Sequence, residues 1–357
     1  MSEPIFFVGL DIGADTSTAC LLDQHGSPLE ERGVATSCNE VSAFIASHAA
    51  IENVAIGMES GSGGTLLARR LREMGYRVHI FSARQASNFL KIRQNKTDFN
   101  DARGIADIVR LGRGVVPEVF LKSPECQHLR SQLVLRQKLV QHRVAGENAI
   151  NSVFRLNGGR LKKSWSAASL KRHVETELSR LHSIEGIDLG ADIQPILAIC
   201  MSTRHYLEKL DRTLTKAAER NPVCSRFMQI PGIGPISALS FYSAVDDPYR
   251  FRHNDDVGAY FGLVPKIKQS GTVLKRHSIT KMGNSLTRAH LGIAAGTMLR
   301  LSNADCALKT WALNAIPRIG KPKVRTALSR RLAVVMIAMW KSNTNFRPEG
   351  PSAPSAK

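Results

Sequence analysis

The first apolar run of the chain, residues 5–11 (Ile-Phe-Phe-Val-Gly-Leu-Asp), is too short for a helix and predicts a buried strand ending on an acid. A second short strand is predicted over 18–23, then a turn at Gln24-His25-Gly26-Ser27 and a third strand over 29–35. Beyond it the periodicity alternates: a helix over 40–50, a strand over 53–58, a helix over 65–74, a strand over 77–81, and helices after Ala83 and from Asp98. Three strands in a meander followed by alternating helix and strand predict an α/β unit with a mixed sheet. The order β-β-β-α-β-α-β-α is that of RNase H-like folds.

From 123 to 221 the strand signal vanishes. Apolar positions such as Leu129, Leu133 and Leu139, then Ile193, Ile196, Leu197, Cys200, Leu207, Leu210 and Leu214, recur mostly at three and four. This predicts long antiparallel helices, either a coiled-coil arm used in self-association or a helical subdomain packed on itself. Leu156-Asn157-Gly158-Gly159 marks a break between helices. A third, mainly helical unit starts near Pro222 and reaches Ser342, and a tail with Pro348, Pro351 and Pro354 among Ser, Gly and Ala is expected to be disordered. The expected division is therefore 1–115, 116–221, 222–342 and 343–357.

Charge changes this picture more than composition does. The 357 residues carry 49 Lys and Arg against 30 Asp and Glu, a net charge of +19, but unevenly. Residues 1–115 hold 12 basic and 13 acidic side chains, 116–250 hold 19 and 13, and 251–357 hold 18 and 4. A balanced first third joined to a strongly basic last third suggests a polyanion-binding module attached to something else, with nucleic acid the expected polyanion. With 43% hydrophobic residues the chain can bury a sizeable core. Its six scattered cysteines form no C-x-x-C pair, which argues against a zinc knuckle and for a reducing, cytoplasmic setting. No basic leader precedes an apolar segment at the start, and the longest apolar run, 332–340, is too short to span a bilayer, so no membrane role is expected.

Candidate chemistry begins with acids at strand ends. Asp11 closes the first predicted strand and Glu59 follows the fourth, ahead of Ser60-Gly61-Ser62-Gly63-Gly64. Asp98 and Asp101 are three apart, so on a helix their carboxylates face the same way. Singly, Asp11 reads as a turn cap and Asp98 as a helix cap. Together, in an RNase H-like sheet, four carboxylates would share one small volume and repel one another unless a divalent cation neutralised them. Hard oxygen ligands favour Mg²⁺ or Mn²⁺, and such ions catalyse phosphoryl transfer on nucleic acid. Gly9-Leu10-Asp11-Ile12-Gly13 also resembles the first phosphate loop of actin-like ATPases and sugar kinases, but the second loop and adenosine site that such a protein needs are not found in the sequence.

In the last third, Pro231-Gly232-Ile233-Gly234-Pro235 has the form of a helix-hairpin-helix, in which Gly232 and Gly234 leave backbone N–H groups open to a phosphate; the alternative is a tight turn between core helices. Downstream, Ser270 stands beside Gly271 among Lys266, Lys268, Lys275 and Arg276, with Lys281 following in Ile279-Thr280-Lys281-Met282-Gly283-Asn284. A serine so placed can contact a phosphate or attack it, and the residues alone favour contact.

The joint occurrence of Asp11, Glu59, Asp98 and Asp101 with Pro231-Gly232-Ile233-Gly234-Pro235, Gly262-Leu263-Val264-Pro265, Ser270-Gly271 and Ile279-Thr280-Lys281-x-Gly283-Asn284 resembles the DEDD transposases of insertion-sequence family one-ten, relatives of the Piv-type DNA invertases. The resemblance spans nearly the whole chain. It implies a RuvC-like first domain whose four acids bind Mg²⁺, and a transposase domain in which Ser270 attacks DNA and forms a transient phosphoserine. It further implies donor and target DNA as partners, a noncoding bridge RNA that selects both, and assembly as a dimer or tetramer. Thr272 stands where relatives often carry a second glycine, which bears on the loop rather than on the role of Ser270. The competing functions are a junction resolvase that cuts with metal-activated water, and an inert nucleic-acid-binding protein.

Overall fold

A computed structural model describes residues 3–61, 63–91, 97–112, 114–270, 273–300 and 305–349, without the side chains of Val273, Leu274 and Arg276. The chain divides into two compact units, Met1–Lys122 and Ser123–Lys357.

The first unit is built on a five-stranded sheet. Strands β1 (Phe6–Asp11), β2 (Thr16–Leu22) and β3 (Pro28–Ala35) form the expected meander; α1 (Cys38–Ala46), β4 (Val54–Glu59), α2 (Gly64–Glu73), β5 (Arg77–Phe81), α3 (Ala83–Leu90) and α4 (Asp98–Leu111) follow. The strand order is β3-β2-β1-β4-β5. β1 runs antiparallel to β2 but parallel to β4, with Gly9 opposite Gly57 and Leu10 opposite Met58, so β1 and β4 end side by side. One sheet face buries Val8, Leu10, Ile56 and Met58 with Phe44, Ile45, Leu67 and Leu71 of α1 and α2. The other buries Phe7, Cys20 and Ala55 against Ala102, Ile105, Ala106 and Val109 of α4. Apolar residues on both faces explain why β1 and β4 read as continuous runs rather than alternations.

The second unit begins with α5 (Pro124–Leu156), α6 (Ala167–Glu185) and α7 (Gly190–Arg220). Leu129 and Leu133 near the start of α5 pack with Leu214 and Ala218 near the end of α7, whereas Ile150 and Phe154 pack with Ile193 and Leu197, so these two helices are antiparallel. α5 stops at the predicted break, where Gly158 takes a φ of +73°. The remaining elements are α8 (Pro222–Phe227), α9 (Pro235–Val245), α10 (Asp256–Tyr260), β6 (Pro265–Ser270), β7 (Val273–Ile279), α11 (Ser285–Arg300), α12 (Ala307–Ile319) and α13 (Lys321–Ser342). One core joins the base of the long helices to α9, α11 and α13 through Phe227, Phe241, Phe261, Leu291 and Leu332. The middle and last segments separated in the sequence thus share a single apolar core.

The last third is mainly helical, as expected, and β6 and β7 add an antiparallel ribbon to it. One feature differs from expectation. Residues 343–349, grouped with a disordered tail by composition, are held in place: Phe346 packs on the core, its N–H donates to Gln229 Oε1 at 3.0 Å, and Ala307 N–H donates to Pro348 O at 2.7 Å. The rest of that tail, 350–357, lies outside the described residues. Among the described residues no helix is long and apolar enough to cross a membrane.

Candidate functional site

In the first unit, backbone packing sets where the acids stand. A Cβ at Gly9 would fall 1.9 Å from the carbonyl oxygen of Ala102 and 2.4 Å from the amide nitrogen of Ala106, so only glycine lets α4 lie this close to β1. Arg110, near the end of α4, reaches Gly26 in the turn between β2 and β3, next to the start of β1. α4 therefore runs antiparallel to β1, and its first turn lies at the end of the sheet where Asp11 and Glu59 close their strands. Thr97 caps that turn by accepting from Asn100 N–H at 3.1 Å, so Asp98 is the first helical residue rather than the cap. Asp98 is exposed, while Asp11, Glu59 and Asp101 are half-buried.

These carboxylates are the hard donors that Mg²⁺ or Mn²⁺ prefers, and they stand at one edge of the sheet. The side chains do not close on a common point: among the described residues no three of His, Cys, Asp and Glu form a group able to hold a metal ion. The shared volume expected from the sequence is thus approached by the backbone and not completed by the side chains.

In the second unit, Ser270 is the last residue of β6 and pairs with Val273, at the far end of the ribbon from the core. All six β6 residues are exposed, Lys266 and Lys268 among them, as is Lys275, which pairs with Lys268 across the ribbon. Gly271 and Thr272 lie outside the described residues, as does the side chain of Arg276.

Two sequence motifs meet at the ribbon's root. Thr280 N–H donates to Val264 O at 2.9 Å and Lys281 N–H to Gly262 O at 3.1 Å, so Gly262-Leu263-Val264-Pro265 and Ile279-Thr280-Lys281 close the ribbon together. Asn284 then caps α11, its Oδ1 accepting from Leu286 N–H at 3.0 Å and Thr287 N–H at 3.2 Å. Exposed Lys281 opens onto a hollow of about 460 Å³ that Arg288, Arg300 and Arg325 also line. Arg288 donates to Phe261 O at 3.0 Å and Met282 O at 2.8 Å, and burial lowers its pKa. The sequence reading missed these arginines because they lie on two separate helices; the small residues Ser285, Ala289, Gly292 and Gly296 along α11 were the available signal for a concave face.

Gly232 and Gly234 stand between α8 and α9 but face different surroundings. Gly232 has a φ of +90°, and a Cβ there would meet Ala294 O of α11 at 2.5 Å, so it serves close packing. Gly234 borders open space and precedes α9, whose first turn has no side-chain cap.

A transposase family of the DEDD IS110 type matches residues 8–156, and the transposase IS116/IS110/IS902 family matches residues 224–311. Similar chains include the transposase for insertion sequence element IS1111A of Coxiella burnetii, 27% identical over 97% of this chain and 92% of that one. The transposase for IS1328 of Yersinia enterocolitica is 24% identical over 96% and 98%, and a probable family 20 transposase of Pseudomonas aeruginosa is 25% identical over 82% and 86%. The two matches fall in order on the sheet with its acids and on the unit with its serine ribbon, and the chain belongs to the IS110 family of insertion-sequence transposases.

Proposed function

We propose that this transposase cuts and rejoins DNA through a covalent phosphoserine formed by Ser270, with Asp11, Glu59, Asp98 and Asp101 holding Mg²⁺ or Mn²⁺. The observation that carries the reading is the placement of Ser270: a small hydroxyl at the end of an exposed ribbon bearing Lys266, Lys268 and Lys275, where a phosphodiester can reach it. Ser270 Oγ attacks phosphorus, a deoxyribose oxygen departs and takes up a proton, and the bond energy stays in the serine ester until a second DNA hydroxyl displaces it. The lysines stabilise the charge that develops on the phosphoryl oxygens. Asp11, Glu59, Asp98 and Asp101 would hold a divalent ion, which would supply Lewis-acid neutralisation of charge on a phosphodiester. Lys281, with Arg276 and the backbone at Gly234, contacts the DNA phosphates. Concerted cutting of several strands calls for a dimer or tetramer, and the resemblance to the family adds a noncoding bridge RNA that pairs with donor and target.

The test is to express the protein with its native flanking DNA and look for detergent-stable protein–DNA adducts. Wild type is expected to give them, and Ser270→Ala and Asp98→Ala are each expected to abolish them, with sequencing of co-purifying RNA as the next step. Adducts that survive in Ser270→Ala would sink the nucleophile assignment. Cleavage by wild type with no adduct would instead assign hydrolysis by water, as in a junction resolvase.

A further inference from the structure

The connection between α5 and α6 carries a feature that neither family match covers, since residues 157–223 fall between them. Trp165 stands there 81% exposed. Its position predicts the opposite. Ser166 caps α6 in a capping box with Ser169, and an apolar residue just before such a cap normally packs on the fourth helical residue, here Leu170. Leu170 is buried with Ile150, Phe154 and Val174, and Trp165 takes no part in that cluster.

The exposure does not come from a loose loop. Leu161 N–H donates to Asn151 Oδ1 at 3.0 Å, Arg160 N–H to Glu177 Oε1 at 3.0 Å, and Arg180 Nη2 to Gly158 O at 3.2 Å. Arg204 is buried, pairs with Glu147 at 2.7 Å and donates to Ser164 O at 3.0 Å, directly before the tryptophan. A buried arginine, paired with a half-buried glutamate, thus fixes a loop whose largest apolar side chain is left in water.

The surroundings are cationic. Lys163 Nζ stands 4.1 Å over the indole centroid. Arg160, Lys162 and Lys163 are exposed and form no ion pair among the described residues, while the nearby Glu177 is engaged by Arg180 at 3.0 Å. A hollow of about 440 Å³ opens beside them.

We propose that residues 158–165 bind unpaired nucleotides, with a base stacked on Trp165 and the flanking phosphates held by Arg160, Lys162 and Lys163. An aromatic face beside cations suits a single strand, whose bases are free to stack, better than a duplex, whose bases are already stacked. The inference concerns binding alone and holds whether or not Ser270 is the nucleophile.

The test titrates full-length protein with a short oligothymidylate and with a duplex of the same length, following tryptophan emission and affinity. Trp311 and Trp340 are partly buried against the core, so quenching by the single strand is expected to come from Trp165 and to vanish in Trp165→Ala. That variant should bind oligothymidylate about ten-fold more weakly, the scale of one lost stacking contact, and bind the duplex as before. Trp165→Phe should restore most of the affinity, and Arg160→Ala, Lys162→Ala and Lys163→Ala should each flatten the salt dependence. Unquenched emission while oligothymidylate binds, or equal losses for single strand and duplex, would overturn the proposal. So would a Trp165→Ala variant that changes sedimentation but not affinity, which would assign the ring to a protein contact.

Discussion

Asp101 stands one residue before Ala102, whose carbonyl occupies the space a Gly9 side chain would need; Ser270 stands at the end of a strand whose side chains all lie in solvent. The first unit places its acids by backbone against backbone, at the ends of strands β1 and β4, which are buried on both faces. The second presents its serine on a two-stranded ribbon whose described side chains are exposed up to Ile279 at its root, an arrangement that is marginal in water by itself. On the proposed roles the difference has a use: acids set at strand ends by backbone packing suit a shared cation, and a serine left reachable suits an incoming phosphodiester.

The sharpest way to break this contrast is Gly9→Val. The new side chain meets backbone atoms of α4, which cannot swing aside, so the helix must leave the sheet. We expect a loss of about 3 kcal/mol or more, at the upper end of overpacking effects, read as a lower urea midpoint. Ser270→Ala should leave that midpoint within about 0.5 kcal/mol while removing adduct formation, because an exposed residue contributes little to stability. A Gly9→Val protein as stable as wild type would show that α4 does not fix the acids.

A second comparison lies inside the second unit, between its wet ribbon and its dry core. His290 of α11 is 7% exposed, and its Nδ1 has no hydrogen-bond partner among the described residues. Burial, with a smaller contribution from Arg136, pushes its pKa down to about 4 from the usual 6.5. The unfolded chain therefore takes up a proton below about pH 6.5 that the folded one refuses until about pH 4. Stability contributed by this group rises with pH across that window and is lost as pH falls through it. Between pH 7.5 and pH 5 the wild type should lose about 2 kcal/mol more than His290→Leu, measured by urea unfolding at both pH values. Parallel curves for the two proteins would place the imidazole in contact with water.

The sequence was most readable where burial imposed a pattern. The strand expected over 77–81 is β5 to the residue, and β1 and β4 were visible because they are apolar on both faces. The helix expected over 40–50 is shifted to Cys38–Ala46 because Ser37 Oγ accepts from Glu40 N–H, which starts the helix earlier. β6 and β7 were unreadable for the opposite reason: with neither face of β6 buried there is no alternation to detect, and Lys266, Lys268 and Lys275 look like a loop. The four acids were recognisable at their positions, but the direction of α4 follows from the fit of Gly9 under Ala102, a contact between residues far apart in the chain. Arg300 and Arg325 share a hollow only because α11 and α13 pack together.

The smallest effects on stability should come from the ribbon lysines, and they decide what the ribbon is for. Lys266→Ala, Lys268→Ala and Lys275→Ala remove exposed side chains, so each should shift unfolding by less than about 0.5 kcal/mol. If they contact duplex phosphates, each should lower the slope of log affinity against log salt by about 0.9 and weaken binding to all sequences alike. Lys275, which pairs with Lys268 near the Ser270 end, should also slow adduct formation more than Lys266 at the root, because only a cation near the attacked phosphorus stabilises the charge that develops there. Equal effects of the two on adduct rate, with equal salt slopes, would reduce the ribbon to a non-specific electrostatic surface and remove its claim to position the phosphate for Ser270.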